Sequence, residues 1–208
     1  MAIQQAVATY RKNVYIIDIN EFWIKSMSAG ERTKQLITDT FTAMLKEMPL
    51  ESIRIKDLCS RCGIDRHTFY YHFKDKYDLV VWIHMEMLSS VGQHIGKQFS
   101  RDVAVRVVDE MSTNSWFYER CFEYSGQNSL LSVILETSAE SYEILLQQHL
   151  GLTLTPQMQI EIRYHVYGLT MTIAHWLKNN MSIPSEELVR IIMSNTPVWL
   201  REAIIENS

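Results

Sequence analysis

From Gly63 to Lys76 the chain reads Gly-Ile-Asp-Arg-His-Thr-Phe-Tyr-Tyr-His-Phe-Lys-Asp-Lys, a run dense in groups that donate hydrogen bonds to anions and base edges. Stepping about 100° per residue around a helix, Phe69 and Phe73 fall about 40° apart and Arg66 about 60° from Phe69. Tyr70, His67 and Tyr71 turn away by about 100° to 200°. Such a helix holds itself down through two phenylalanines and offers Arg, His and two Tyr outward. Arg66, at the helix start, can pair bidentately with guanine, and His67 can meet a base edge or a phosphate. Tyr70 and Tyr71 can donate hydroxyls to phosphates or lay their rings on thymine methyl groups, while Thr68, His72 and Lys76 flank the nucleic-acid backbone. A further helix opening at Lys76 would add its positive dipole end to that ammonium group, a phosphate anchor. These side chains predict double-stranded DNA as the ligand.

The elements that must position them follow from local signals. Asp65 is an N-cap for a helix over 66–73, and Gly63 stops the helix before it. That earlier helix is short, with Ile55, Leu58, Cys59 and Cys62 on one face. Upstream, Ser28 with Glu31 makes a capping box, Ile37, Phe41, Met44, Leu45 and Met48 recur at helical spacing, and Pro49 ends the helix. Asp75 and Asp78 cap a longer helix from Lys76 to about Phe99. Two helices joined by a glycine turn, the second presenting polar groups, meet the demand of a helix-turn-helix whose second helix enters a major groove about 12 Å wide.

The stretch from Ile53 to Leu79, above all Gly63, Thr68, Phe69, Tyr70, His72, Phe73, Lys76 and Leu79, resembles the DNA-binding head of TetR-family transcriptional regulators. The resemblance covers about 50 of the 208 residues. It implies a three-helix head, a linking fourth helix and a larger helical body that dimerises and holds an effector pocket. Arg54 stands where that family places a Ser or Thr cap, so either the second helix frays at its start or the arginine serves a phosphate. Asp65 replaces a common Ser. The leader over residues 1–27 is longer than usual; either translation starts at Met27, or Tyr10-Arg11-Lys12 forms an arm that reaches a groove. Trp82 and Phe117-Tyr118 are similar to the subgroup linked to dihydroxyacetone kinase regulation, some of whose members are co-regulators.

Composition narrows the remainder. With 47% apolar residues but only seven Gly and four Pro, the chain favours helices and argues against a β sandwich. Apolar runs reach about five residues, far short of the ~20 of a membrane span, and no signal peptide is visible, which predicts a cytoplasmic protein. The net charge of −4 is uneven: residues 1–79 hold 12 basic against 10 acidic side chains, residues 80–208 hold 8 against 14. Three cysteines make no disulfide framework, and Cys59-Ser-Arg-Cys62 lacks the second pair that zinc requires. Seven scattered histidines form no His-Glu-x-x-His, and no nucleophile elbow or phosphate loop occurs. No enzyme, metal or cofactor is expected.

The expected fold is all-α, with an extension over 1–27, a helix-turn-helix head over 28–75 and a helical effector-binding and dimerisation body over 76–208. Body helices are expected over 102–112, 116–124, 129–150, 156–179 and 185 to the end, the last split by Pro197. Helix 156–179 is apolar on two sides: Met158, Ile162, Leu169, Ile173 and Leu177 on one strip, Ile160, Tyr164, Tyr167, Met171 and Ala174 on another. Either the helix is buried in the centre of one subunit, or one strip meets the subunit core and the other a second copy, forming a four-helix seam through Tyr164, Tyr167, Gly168, Met171, Thr172, His175, Leu188 and Ile192. Trp82, Met85, Met111, Trp116, Phe117, Tyr118, Phe122 and Trp176 either line an apolar effector pocket or simply fill a helical core. The reading is a homodimeric repressor on a palindromic operator, released by a small-molecule effector; the alternative is a protein-interaction adaptor that keeps the helix-turn-helix fold.

Overall fold

Few residues in this chain interrupt a helix, and the computed structural model, which describes residues 29–92, 100–126 and 128–205, contains only helices and their connections among those residues. The extension over 1–27, Ser28 of the capping box and the last turns expected of the fourth helix, 93–99, lie outside them. Helix α1 is Ala29–Glu47; after a single 3-10 turn at Leu50–Ser52 come α2 (Ile55–Cys62), α3 (Arg66–His72) and α4 (Lys76–Gly92). The rest is α5 (Arg101–Thr113), α6 (Ser115–Phe122), α7 (Leu130–Ile144, widening into a π turn at Leu145–His149), α8 (Pro156–Lys178), α9 (Ser185–Ser194) and α10 (Val198–Ile205). No described helix is long and apolar enough to cross a membrane.

Helix α3 is two turns long, too short to persist alone, and survives because Phe69 and Phe73 are buried beneath it. They join Ile37, Phe41, Met44 and Leu45 of α1 and Leu58 of α2 in one apolar cluster, which continues through Leu79, Val80 and Ile83 of α4 into Phe117, Tyr118, Leu177 and Val189 of the body. Head and body therefore share a core, with no break where α4 begins. At their joint, the Lys34 ammonium lies 3.9 Å from the Trp82 ring centroid, the Lys46 ammonium 4.7 Å from that of Trp116, and the Tyr77 and Tyr124 rings stack at 4.5 Å. A second, smaller cluster gathers Ala139, Leu146, Ile162, Val166, Leu200 and Ile204 between α7, α8 and α10.

The α8 pattern resolves as its two strips suggest. Thr155 caps it by accepting from the Met158 amide at 3.2 Å, and Pro156 takes the first turn, where a missing N–H costs nothing. Ile162, Val166, Ala174 and Leu177 face inward, while Ile160, Tyr164 and Met171 are exposed. Ala174, placed on the outer strip by spacing, turns out to be buried. Past α8, Asn180 and Met181 take φ of 56° and 50°, and the Trp176 indole donates to the Ile183 carbonyl at 2.9 Å, closing a tight turn into α9. Pro197 separates α9 from α10.

Inside the main core, His84 of α4 meets the Tyr118 hydroxyl of α6 through Nδ1 at 2.9 Å. Burial drives the imidazole down to about 4 from an ordinary 6.5. Between those two pH values the unfolded chain binds a proton that the folded chain refuses, so stability is intact above pH 6.5 and falls as the pH drops toward 4, by up to about 3 kcal/mol. His84→Gln, which keeps a hydrogen-bonding partner for Tyr118, is expected to flatten the urea midpoint against pH across this window. A slope unchanged by the substitution would place the acid sensitivity elsewhere.

Candidate nucleic-acid interface

The turn between α2 and α3 requires its glycine: Gly63 sits at φ 67°, ψ 29°, in the left-handed region where a Cβ is disfavoured. Its amide donates to the Ser60 carbonyl at 3.3 Å and the Ile64 amide to the Cys59 carbonyl at 3.1 Å, so the chain reverses without losing main-chain partners. One residue further, the Asp65 carboxylate accepts from the Thr68 amide at 2.6 Å, and these bonds to Thr68 hold its carboxyl below the usual range. The carboxylate that stands where a Ser is common thus caps α3, as its position before the helix predicts. Thr68, half-buried, is occupied with it.

With α3 pinned by its phenylalanines, Arg66 and His67 are exposed on its first turn, Tyr70 is 54% exposed and Tyr71 80% exposed. Tyr70 is held edge-on to Phe69 at 5.4 Å and Tyr71 edge-on to His72 at 4.9 Å, so the two phenols project from a fixed base. His72 is half-buried, and burial together with the nearby Lys34 lowers its pKa, keeping it neutral at physiological pH. Beside α3 runs a surface groove lined by Arg54, Lys56, Arg66, Tyr70, Lys76 and Tyr77. Arg54 occupies the α2 N-cap position with extended backbone and no capping side-chain bond, leaving its guanidinium exposed on the groove. Lys56 was not anticipated from the sequence. Its position in the first turn of α2, one residue past Ile55 of the apolar face, was the available signal.

Lys76 departs from the expectation of a phosphate anchor. Its ammonium donates to three main-chain carbonyls, those of Leu50 at 2.8 Å, Glu51 at 2.9 Å and Ile53 at 2.9 Å. A lysine has three N–H donors, and all are taken. The side chain ties the start of α4 to the 3-10 turn ahead of α2. Lys76→Met is expected to lower unfolding stability by about 2 kcal/mol, since three hydrogen bonds from a charged donor are lost. The slope of log affinity for DNA against log salt should not change, because no phosphate contact is removed. Unaltered stability with a shallower slope would restore the phosphate role.

The other predicted sets are brought together only in part. Phe117, Tyr118, Phe122, Met111 and Trp176 are buried and packed in the main core, Trp82 lies edge-on to Phe73 and under Lys34, Trp116 lies under Lys46, and Met85 is exposed. They fill space and form the head–body joint instead of lining one cavity. A concavity beside the α8–α9 turn is lined by Ser112, Trp176, Met181, Ile183, Pro184 and Ser185 among others, and takes only Trp176 from that set. Of the seam residues, Tyr164, Gly168, Met171, Thr172 and His175 lie exposed on one face of α8. Tyr167 is half-buried and donates its hydroxyl to Glu136 at 2.8 Å. Leu188 is a correction: it is buried in the subunit core, where α9 packs on α5, and Ile192 packs against the same core. The exposed large apolar residues of that region are Ile191 and Val198.

Comparison with known proteins agrees with this architecture. Residues 37–82 match the family described as bacterial regulatory proteins, tetR family, and residues 100–196 match one described as transcriptional regulator C-terminal region. No curated protein sequence matches significantly. The fold is similar to that of a dihydroxyacetone kinase operon activator, DhaS, at 15% identity over 83% of this chain and 96% of the other, with a TM-score of 0.56. It is also similar to a tetR-family transcriptional regulator from Streptomyces coelicolor, at 15% identity over 85% of each chain, with a TM-score of 0.54. At these identities the likeness is one of fold. Because the two family matches together span more than half of the chain, and the first contains the whole helix-turn-helix, this protein belongs to the TetR family and is a DNA-binding transcriptional regulator, not an enzyme.

Proposed function

We propose that the protein is a homodimeric repressor that reads a palindromic operator through α3 and is released by a small-molecule effector. The observation that carries the DNA-reading part is the exposed face of α3, with Arg66, His67, Tyr70 and Tyr71 outward over buried Phe69 and Phe73. In this reading Arg66 makes the base contact, His67, Tyr70 and Tyr71 make base-edge or phosphate contacts, and Arg54 and Lys56 across the groove take phosphates. Thr68 and His72 stand at the flanks, Thr68 shaping the helix start and His72 donating as a neutral imidazole. Lys76 holds the groove's far wall in place.

The exposed strip of α8 supports a two-fold seam. Ile160, at 68% exposure, Tyr164, at 82%, and Met171, at 49%, are apolar groups that a lone subunit leaves in water. A Cβ built on Gly168 meets nothing within 4 Å, which leaves room for the same helix of a second copy. A two-fold axis places the two α3 helices in successive major grooves of an inverted repeat, with half-sites about 34 Å apart or a multiple of that spacing. In this reading the effector sits in the open concavity beside the α8–α9 turn, against Trp176, Met181 and Ile183. The effector would shift α4, which begins in the head and packs on α5. A coupling of about 1 to 3 kcal/mol between effector and DNA suffices for a useful switch.

Selection from a random duplex pool tests the reading. It should yield an inverted repeat bound by two subunits. No enriched motif would leave the helix-turn-helix as a scaffold for protein contacts and favour the adaptor.

A further inference from the structure

Tyr124 lies in the connection between α6 and α7, belongs to the body, and lies face to face with Tyr77 of α4, the rings 4.5 Å apart and 13° from parallel. Tyr77 is itself a wall of the groove that holds Arg54, Arg66 and Tyr70. Its amide and that of Asp78 are held by the Asp75 carboxylate at 2.8 and 2.9 Å, and its neighbour Lys76 is tied to the carbonyls of Leu50, Glu51 and Ile53. A body side chain therefore rests on the one aromatic ring of α4 that faces the groove, at the turn of α4 tied directly to the approach to α2. Burial and a hydrogen bond with Tyr124 push the Tyr77 phenol above its ordinary pKa.

The pose of Tyr124 depends on Gly126. A Cβ built on Gly126 would stand 2.2 Å from the Tyr124 hydroxyl oxygen and 2.4 Å from Cζ, distances no real methyl group tolerates. The Gly126 backbone is outside the left-handed region, so an alanine there adds a methyl group without backbone strain. The atoms it would strike are the far end of a side chain, and the ring is what must move.

Resting on the DNA-reading function proposed above, we infer that Tyr124 is a positioning residue for DNA binding: through its stack on Tyr77 it holds the groove wall and the first turn of α4 where Arg54 and Arg66 can act together. The body thereby reaches the DNA-facing groove without contacting DNA.

The test uses the full chain and the duplex obtained by selection. Tyr124→Ala should weaken that binding by about three- to tenfold, the range expected for one aromatic pair. Tyr124→Phe, which keeps the ring, should stay within about twofold of the wild type by the same reasoning. Gly126→Ala should weaken binding to a similar degree, and adding it to Tyr124→Ala should do nothing more, because the ring it displaces is gone. That non-additivity shows that Gly126 acts through the ring, whereas a purely structural role would lower the unfolding midpoint of Tyr124→Ala and leave the DNA affinity of its folded fraction unchanged. Should Tyr124→Ala fail to fold, as judged by its unfolding transition, Gly126→Ala alone against Gly126→Ala with Tyr124→Phe carries the comparison: equal weakening in both supports positioning by the ring. Wild-type affinity in Tyr124→Ala or Gly126→Ala overturns the positioning role and leaves the DNA reader intact. Failure of the wild-type chain to select any duplex overturns both.

Discussion

Arg66→Ala is expected to lower affinity for the selected duplex by about ten- to a hundredfold while changing binding to a scrambled duplex far less. A bidentate arginine–guanine pair discriminates by about 1 to 3 kcal/mol, and this guanidinium is exposed on the first turn of the helix that faces the groove. Among the hydrogen bonds and ion pairs of the described residues, none uses its side chain to hold two elements together, so the folded state should be little affected. The quantity to measure is the ratio of dissociation constants for selected and scrambled duplexes at one fixed salt concentration. A fall in that ratio assigns base reading to Arg66. Equal losses on both duplexes would make it one more phosphate contact.

If the proposed two-fold seam lies on α8, Met171→Glu is expected to yield a monomer and to lower operator affinity by more than about a hundredfold, because each half-site then binds alone. Met171 is half-exposed in the single subunit, so the carboxylate costs little there. In a two-fold seam the same substitution places two carboxylates near one axis and takes both out of water, an arrangement that repels and is poorly solvated. Sedimentation at micromolar concentration reads the oligomeric state, and thermal unfolding of the monomer serves as the control. A variant that remains dimeric would move the seam off α8.

Much of this was legible in residue spacing because it is set by contacts within a few residues. Phe69 and Phe73 lie one helical turn apart, so periodicity alone names the buried side of α3. Gly63 and Asp65 mark the turn by backbone preference and capping, both local effects. The two strips of α8 and the split at Pro197 follow in the same way. What spacing does not carry is contact between distant segments. Lys76 reads as a free cation until its ammonium is found on carbonyls 23 to 26 residues upstream. The aromatic set from Trp82 to Trp176 has the composition of a pocket lining, yet residue type does not say whether large side chains leave a hole or close one. Phe117 and Tyr118 close it. Leu188 and Ile192 show the same limit, since an amphipathic helix reveals that one face is covered but not by which neighbour. The head–body joint, built from Lys34 on Trp82, Lys46 on Trp116 and Tyr77 on Tyr124, is of this kind throughout.

The measurement that tests the central claim most directly is amide chemical-shift mapping of the ¹⁵N-labelled full chain titrated with the selected duplex. The account predicts the largest perturbations at Arg66, His67, Tyr70 and Tyr71, with a second set at Arg54 and Lys56. Perturbations confined to the body, with the α3 amides unmoved, would contradict it.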